Sequence, residues 1–305
     1  MTVAPALSVV TRPETAGIPY LTVAEFQNAA TGVQWQNLIP GGSGTQQTAA
    51  LQNEILRASS WLDGEAHQVL ASTTDTELVE ARWRHGRLQI FPRCFPIRAV
   101  TALSIGTDPT QLVPFASLTA VIPQSRVFTV WADGPASWTS QGPLQFGRID
   151  AGRCWVEYTY INGYPVSTLS SAVVAGVTSL TPVSVLGILP GMTLTIADSQ
   201  STESVVVAAS YVLGAATVPL VGPTAYAHLA GVSISALPAV IKKAAALATA
   251  GLIRTRGTAA LVVSSMGGPT KSVVAEAGGP DDLSLAKSIL ADGQYIAQVS
   301  LPSQL

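Results

Sequence analysis

Between Pro165 and Pro238 the chain carries only two formal charges, Asp198 and Glu203, in a segment dense in Val, Thr, Ser and Gly. This feature narrows the possible folds more than any other. A membrane helix needs an unbroken apolar run, and Pro182, Pro190 and several glycines interrupt this one. Its β-branched residues, broken up by Gly and Pro, predict short strands joined by turns. The segment 166–236 therefore reads as a small β-module.

The flanks have a different character, which makes the module an insertion. Upstream, Thr22 is followed three residues later by Glu25, the reciprocal capping pattern that predicts a short helix from Thr22. Ile39-Pro40-Gly41-Gly42-Ser43-Gly44 interrupts the helical pattern. Leu51, Ile55, Ala58 and Leu62 then recur on one face of a second helix, predicted over Thr45 to Val69. From Thr76 onward a sheet is expected, carried by Leu88–Pro92, Ile97–Gly106, Val127–Trp131 and Cys154–Ile161 and closed by Asn162-Gly163-Tyr164-Pro165. After the module, Leu237 to Thr249 returns to a helical pattern, with Pro238 where a first-turn proline is tolerated. Gly267-Gly268-Pro269 marks a linker. Asp281-Asp282 then precedes a short terminal helix, two acids standing where a helix N-terminus favours them. Leu283, Ala286, Ile289 and Leu290 form an apolar face on that helix.

Composition argues against several function classes. Charged residues make up 11% of the 305, with a net charge of −2, so there is no basic surplus of the kind a dedicated nucleic-acid binder needs. The hydrophobic fraction is 48% and the mean hydropathy +0.37, and subunit interfaces would absorb that apolar surface. The N-terminal residues lack the basic segment and apolar core of a signal peptide, so a cytoplasmic site of synthesis is expected. Cys94 and Cys154 have no partners at zinc-ligand spacing and are expected as buried thiols.

Chemistry-bearing motifs fall short one by one. Gly41-Gly42-Ser43-Gly44-Thr45 lacks the last glycine of a nucleophile elbow and reads as a flexible loop. Gly267-Gly268-Pro269-Thr270-Lys271-Ser272 has Thr where a phosphate loop requires Gly. His67, His85 and His228 fall in three separate elements, too scattered for a local metal site. Asp75, Glu77 and Glu80 are followed at once by Arg82, Arg84 and Arg87 and read as a mixed-charge surface. Glu203 and His228 read as a turn residue and a strand anchor. No enzyme, metal or cofactor is expected.

The order of the pieces carries a resemblance. Tyr20–Phe26, the helix ending Ala58-Ser59-Ser60-Trp61-Leu62-Asp63, Gly86–Pro92 with Phe95–Val100, the strand end Tyr158–Pro165, and the Pro-led, Ala-rich helix Leu237 to Arg256 together resemble the head-to-tail adaptor (connector) proteins of long-tailed bacteriophages. The inserted module, with Leu189–Ile196, Thr202–Val207 and Ala227–Val232, is similar to small β-modules of tailed-phage virion proteins.

The resemblance implies an α+β fold: a helical adaptor core with a β-sheet region and an inserted small β-module. It divides the chain into an arm 1–19, a core 20–165 of helices plus the first β-region, the module 166–236, a core helix and following segment 237–266, and a tail 267–305. It also implies a homo-oligomeric ring, a dodecamer, in the head-tail neck of the virion, with its helices lining or surrounding the DNA channel. The implied partners are the portal protein and a stopper or tail-completion protein, with DNA passing through unbound in any specific way and no membrane. Leu283, Ala286, Ile289 and Leu290 are the candidate portal contacts. The alternative reading is a carbohydrate-binding or accessory surface protein of the virion. The six tryptophans do not assemble into an evident platform along the sequence.

Overall fold

A computed structural model describes residues 17–84, 87–115, 118, 121–131, 153–199, 201–258 and 281–296. The sequence expectations for residues 1–16, His85 and the Gly267–Ser272 segment lie outside these residues. The chain divides into two compact units, one centred on Ala71–Tyr164 and the other formed by Ala16–Leu70 with Pro165–Gln298. The upstream helices thus group with the module, and the first β-region stands as a unit of its own.

The Ala71–Tyr164 unit is a seven-stranded sheet built from β1 (Thr73–Arg84), β2 (Arg87–Ile90), β3 (Ile97–Gly106), β4 (Val113–Pro114), β5 (Val121–Pro123), β6 (Phe128–Trp131) and β7 (Arg153–Asn162). Its strand order is β4-β3-β7-β1-β2-β6-β5, and every pairing is antiparallel. Alternation decides which side chains turn inward. Leu88 and Ile90 of β2, Phe128 and Val130 of β6, and Val156, Tyr158 and Tyr160 of β7 all enter one core. The Phe128 and Tyr158 rings meet edge to face with centroids 4.9 Å apart.

β1 is the longest strand, and the charge pattern concealed it. Its inward positions are Thr73, Asp75 and Glu77, followed by Val79 and Ala81, which pack against the core. Asp75 and Glu77, expected on a mixed-charge surface with Glu80 and the arginines, are instead buried at 4% and 5% exposure. Among the described side chains of that set, Glu80, Arg82 and Arg87 conform to the expectation by being exposed. The buried acids are tolerated because donors surround them. Glu77 accepts the Tyr158 and Tyr160 hydroxyls, each at 2.6 Å, and the Arg93 N–H at 3.1 Å. Asp75 accepts the Asn162 side-chain amide at 2.6 Å. Burial, then the neighbouring Glu77 charge, pushes both tyrosine hydroxyls well above the usual phenol range, so they remain donors.

In the second unit, α1 (Val23–Asn28) starts with the full Thr22/Glu25 capping box. α2 (Gly44–Ala66) starts with a second one, Ser43 with Gln46. Ser43, expected in a flexible loop, is thus a helix cap. α2 ends at His67, which takes a left-handed backbone with φ 55°. α2 buries Leu51, Ile55, Ala58 and Leu62, the residues that marked its face in the sequence. α3 (Ala239–Thr258) follows Pro238 and buries Ile241, Ala244, Ala245 and Ala248, small side chains that permit close helix approach. α4 (Asp282–Asp292) is capped by Asp281, which accepts the Ser284 N–H at 2.6 Å. That N–H holds the Asp281 carboxyl below its ordinary range.

The expectation of a helical adaptor core is overturned. Helix accounts for 27% of the chain and strand for 30%, and the largest single assembly is the antiparallel sheet. The reason lies in β1. Twelve residues that look like a charged surface form the strand joining β7 to β2, and the sheet closes around them. No described helix is long and apolar enough to cross a membrane.

Candidate functional site

The near-uncharged segment forms β8 (Val166–Thr168), β9 (Ser179–Leu180), β10 (Thr193–Ala197), β11 (Glu203–Val206), β12 (Val218–Pro219) and β13 (Ser233–Ser235). Four of these make a sheet in the order β11-β10-β13-β8, and β12 pairs with β9. Strands this short need a common core, supplied by Leu169, Leu180, Leu194, Ile196, Val218 and Ile234, all at 1% exposure or less. Pro190-Gly191 makes the turn into β10: Met192 N–H donates to Leu189 C=O at 3.2 Å, and Gly191 supplies the required positive φ of 75°.

Having filled this core, the module still has apolar side chains left over. Thirteen large apolar side chains are exposed among the described residues, and nine belong to this module. Val174, Val183, Val212 and Val221 are each 70–71% exposed, and Leu229 is 73% exposed. Some lie side by side: Val221 N–H donates to Val206 C=O at 2.9 Å, and Val206 and Val221 are both exposed. Val173 and His228 pair backbone to backbone, which brings exposed Val174 to the same pair of segments as Tyr226 and Leu229. Single exposed apolar residues are ordinary, but their concentration on a segment with two carboxylates is not.

Both of those carboxylates are committed to one internal fastening. The His228 ring has 0% side-chain exposure. Its Nε2 lies 2.7 Å from Glu203 Oε1, and its Nδ1 lies 3.3 Å from Asp198 Oδ2. Glu203 also accepts the Ala225 N–H at 2.7 Å. Burial alone would raise the Glu203 carboxyl, but the Ala225 N–H, the His228 ring and the Tyr226 N–H outweigh it and hold it below the usual carboxylate range. The cluster therefore ties the β10–β11 hairpin to the 224–228 loop. With both ring nitrogens occupied and the ring buried, the arrangement fastens the chain and uses both of the module's carboxylates.

The four candidate portal contacts are brought together, but face inward. Ala286 and Leu290 are 0% exposed, and Leu283 and Ile289 are partly buried. Leu283 lies against Gly251 of α3, so close that a Cβ added at Gly251 would come within 2.9 Å of Leu283 Cγ. Lys287 pairs with Glu65 of α2 at 2.7 Å, Arg254 of α3 pairs with Asp282, and the Gln68 amide donates to Tyr295 C=O at 2.8 Å. The face expected to meet a portal is packed on the helices of its own chain.

The sequence marked the module as apolar and nearly uncharged, which suits an interface or exposed collar better than a pocket, but did not single out the residues that lie exposed. A run this poor in charge has few charged side chains with which to cover its apolar ones. Cys94 and Cys154 are both buried and neither forms a disulfide. Among the described residues no group of three or more His, Cys, Asp and Glu could hold a metal ion. The chain matches no protein-family model, no curated protein and no solved structure.

Proposed function

We propose that this chain is a structural subunit of a bacteriophage virion, forming an adaptor ring between the portal of the head and the tail, through which DNA is retained and ejected. The motif order from Tyr20 to Arg256 supports the family reading. The observation that carries the structural role is the module, whose exterior displays nine large apolar side chains while its two carboxylates are spent on His228. Such a surface is stable in water only at a cost that neighbouring subunits remove. A ring repeats one interface many times, so a modest apolar patch on each copy suffices to hold it closed.

In this reading the portal acts as a template. The purified chain is monomeric or weakly associated, and rings form once portal subunits hold several copies at high local concentration. Native mass spectrometry of the chain, alone and mixed with the portal protein of the same phage, tests this. The expected result is a monomer alone and a multi-copy complex with portal. A tight dimer that never binds portal would overturn the proposal.

A further inference from the structure

Both carboxylates and the one histidine of the module fasten a ribbon of two antiparallel segments, residues 172–177 and 224–230. Val173 and His228 exchange backbone hydrogen bonds of 2.9 Å in both directions. Thr224 donates its N–H to Val177 C=O at 2.9 Å and accepts the Gly176 N–H at 2.8 Å, and its hydroxyl donates to Val174 C=O at 3.3 Å. Glu203 adds acceptors for the Ala225 N–H at 2.7 Å and the Tyr226 N–H at 3.4 Å. Val173 and His228 turn their side chains toward the module's interior, so by alternation the flanking pairs, Ala172 with Leu229 and Val174 with Ala227, lie on the outer side. Apart from Val173 and His228, the nine residues of 172–176 and 225–230 are all exposed, and every one is Ala, Gly, Val, Leu or Tyr. Leu229, Val174 and Tyr226, the largest of them, are 73%, 70% and 50% exposed.

Resting on the ring reading above and making it specific, we propose that this ribbon is where one copy of the chain meets the module of the next. Charge favours a second copy as the occupant. Surfaces of one chain that meet bring like charges together, at a cost, unless they carry none. Here the ribbon has no charged side chain, and the module's two carboxylates are already engaged with His228. Side-chain size points the same way. Six of the nine exposed residues are Ala or Gly, which gain little from entering a fluid lipid surface but let a folded partner's backbone approach closely. The clamp holds the ribbon in place before any contact forms, so little chain entropy is lost on docking. Nine exposed residues fall short of the roughly 20–30 a side that a stable pair of proteins uses, so one contact is weak alone and holds where a ring repeats it.

The test is sedimentation velocity of the full chain at rising concentration, without portal. Wild type is expected to show weak, concentration-dependent association. Val174→Thr with Leu229→Gln is expected to weaken it roughly tenfold or more, since both positions lose apolar burial. Phe91→Gln with Val240→Gln, which removes two exposed apolar side chains outside the module, is expected to leave it unchanged. All four positions are exposed, so folding is expected to survive in both variants, and matching circular dichroism melts would confirm it. Three outcomes would overturn the proposal: wild type that stays monomeric at every concentration, equal weakening in the two double variants, or phosphatidylcholine vesicles that bind wild type but not the ribbon variant. Native mass spectrometry with portal keeps the two readings apart. Copies that associate through the ribbon but never bind portal would refute the ring alone, whereas a portal complex that the ribbon variant forms with the same copy number and strength would refute the ribbon alone.

Discussion

Replacing Glu77 with Ala tests whether a buried carboxylate organises the sheet. In the native protein its oxygens accept the Tyr158 and Tyr160 hydroxyls at 2.6 Å each, and both tyrosines are exposed by no more than 1%. Alanine strands both donors away from water, at about 1–3 kcal/mol apiece. Arg93 loses the acceptor for its N–H as well, but Arg93 is exposed and water can replace the carboxylate there. Removing a buried charge returns part of the loss, because the carboxylate no longer has to be desolvated. The net expectation is about 2–4 kcal/mol of destabilisation. Glu77→Gln keeps the shape and one acceptor, so it is expected to cost only about 1–2 kcal/mol.

Urea unfolding followed by circular dichroism and tryptophan fluorescence reads these differences. The decisive measurement is a cycle with Tyr158→Phe and Tyr160→Phe. If stranded hydroxyls cause the loss, Glu77→Ala costs markedly less when the hydroxyls are already gone. A Glu77→Ala cost within the roughly 0.5 kcal/mol typical of open surface sites would refute the reasoning.

Glu203 has a depressed carboxyl, so its contribution is complete above the ordinary glutamate value of 4.5 and is lost as pH falls through the lower native value. Urea midpoints are therefore expected to fall on acidification below about pH 4.5 and to fall less in Glu203→Gln; parallel curves would show that the carboxylate plays no part. Gly251→Ala places a methyl within 2.9 Å of Leu283 Cγ and is expected to loosen α4, because overpacking of about 1–3 kcal/mol outweighs the gain in helix propensity of about 1 kcal/mol. Trypsin should then cut faster after Lys287, and an unchanged rate would mean that the helices shift to accept the methyl.

Local signals were legible wherever a few neighbouring residues settle the structure. The Thr22/Glu25 box, the α3 start after Pro238 and the Asp281 cap each rest on contacts within four residues, and all three form. β1 was illegible because its inward face opens with Thr73, Asp75 and Glu77, which no apolar alternation reveals. The residues that make those acids acceptable, Tyr158, Tyr160 and Asn162, lie more than 80 positions away. The α4 face was visible as a face, but its counterpart is Gly251, a residue whose role is the absence of a side chain. Glu203 and His228 were visible as residues, while their 2.7 Å contact depends on a loop crossing that spacing does not encode.

These differences bear on which surface is free to meet another subunit. A helix as short as α4 is marginal in isolation, so its stability comes from what it packs on. Withdrawing it to grip a portal subunit would first expose Leu290, at about 1.5–3 kcal/mol, and Ala286, and would break the Arg254–Asp282 and Lys287–Glu65 pairs. The portal would have to return all of that before any net affinity appeared. Val174, Val183, Val212, Val221 and Leu229 have no such intramolecular packing to give up, since they are already 70–73% exposed. Covering each one contributes up to about 1.5–3 kcal/mol before the entropic cost of association. Free energy therefore favours the module over the terminal helix as the surface for the proposed assembly.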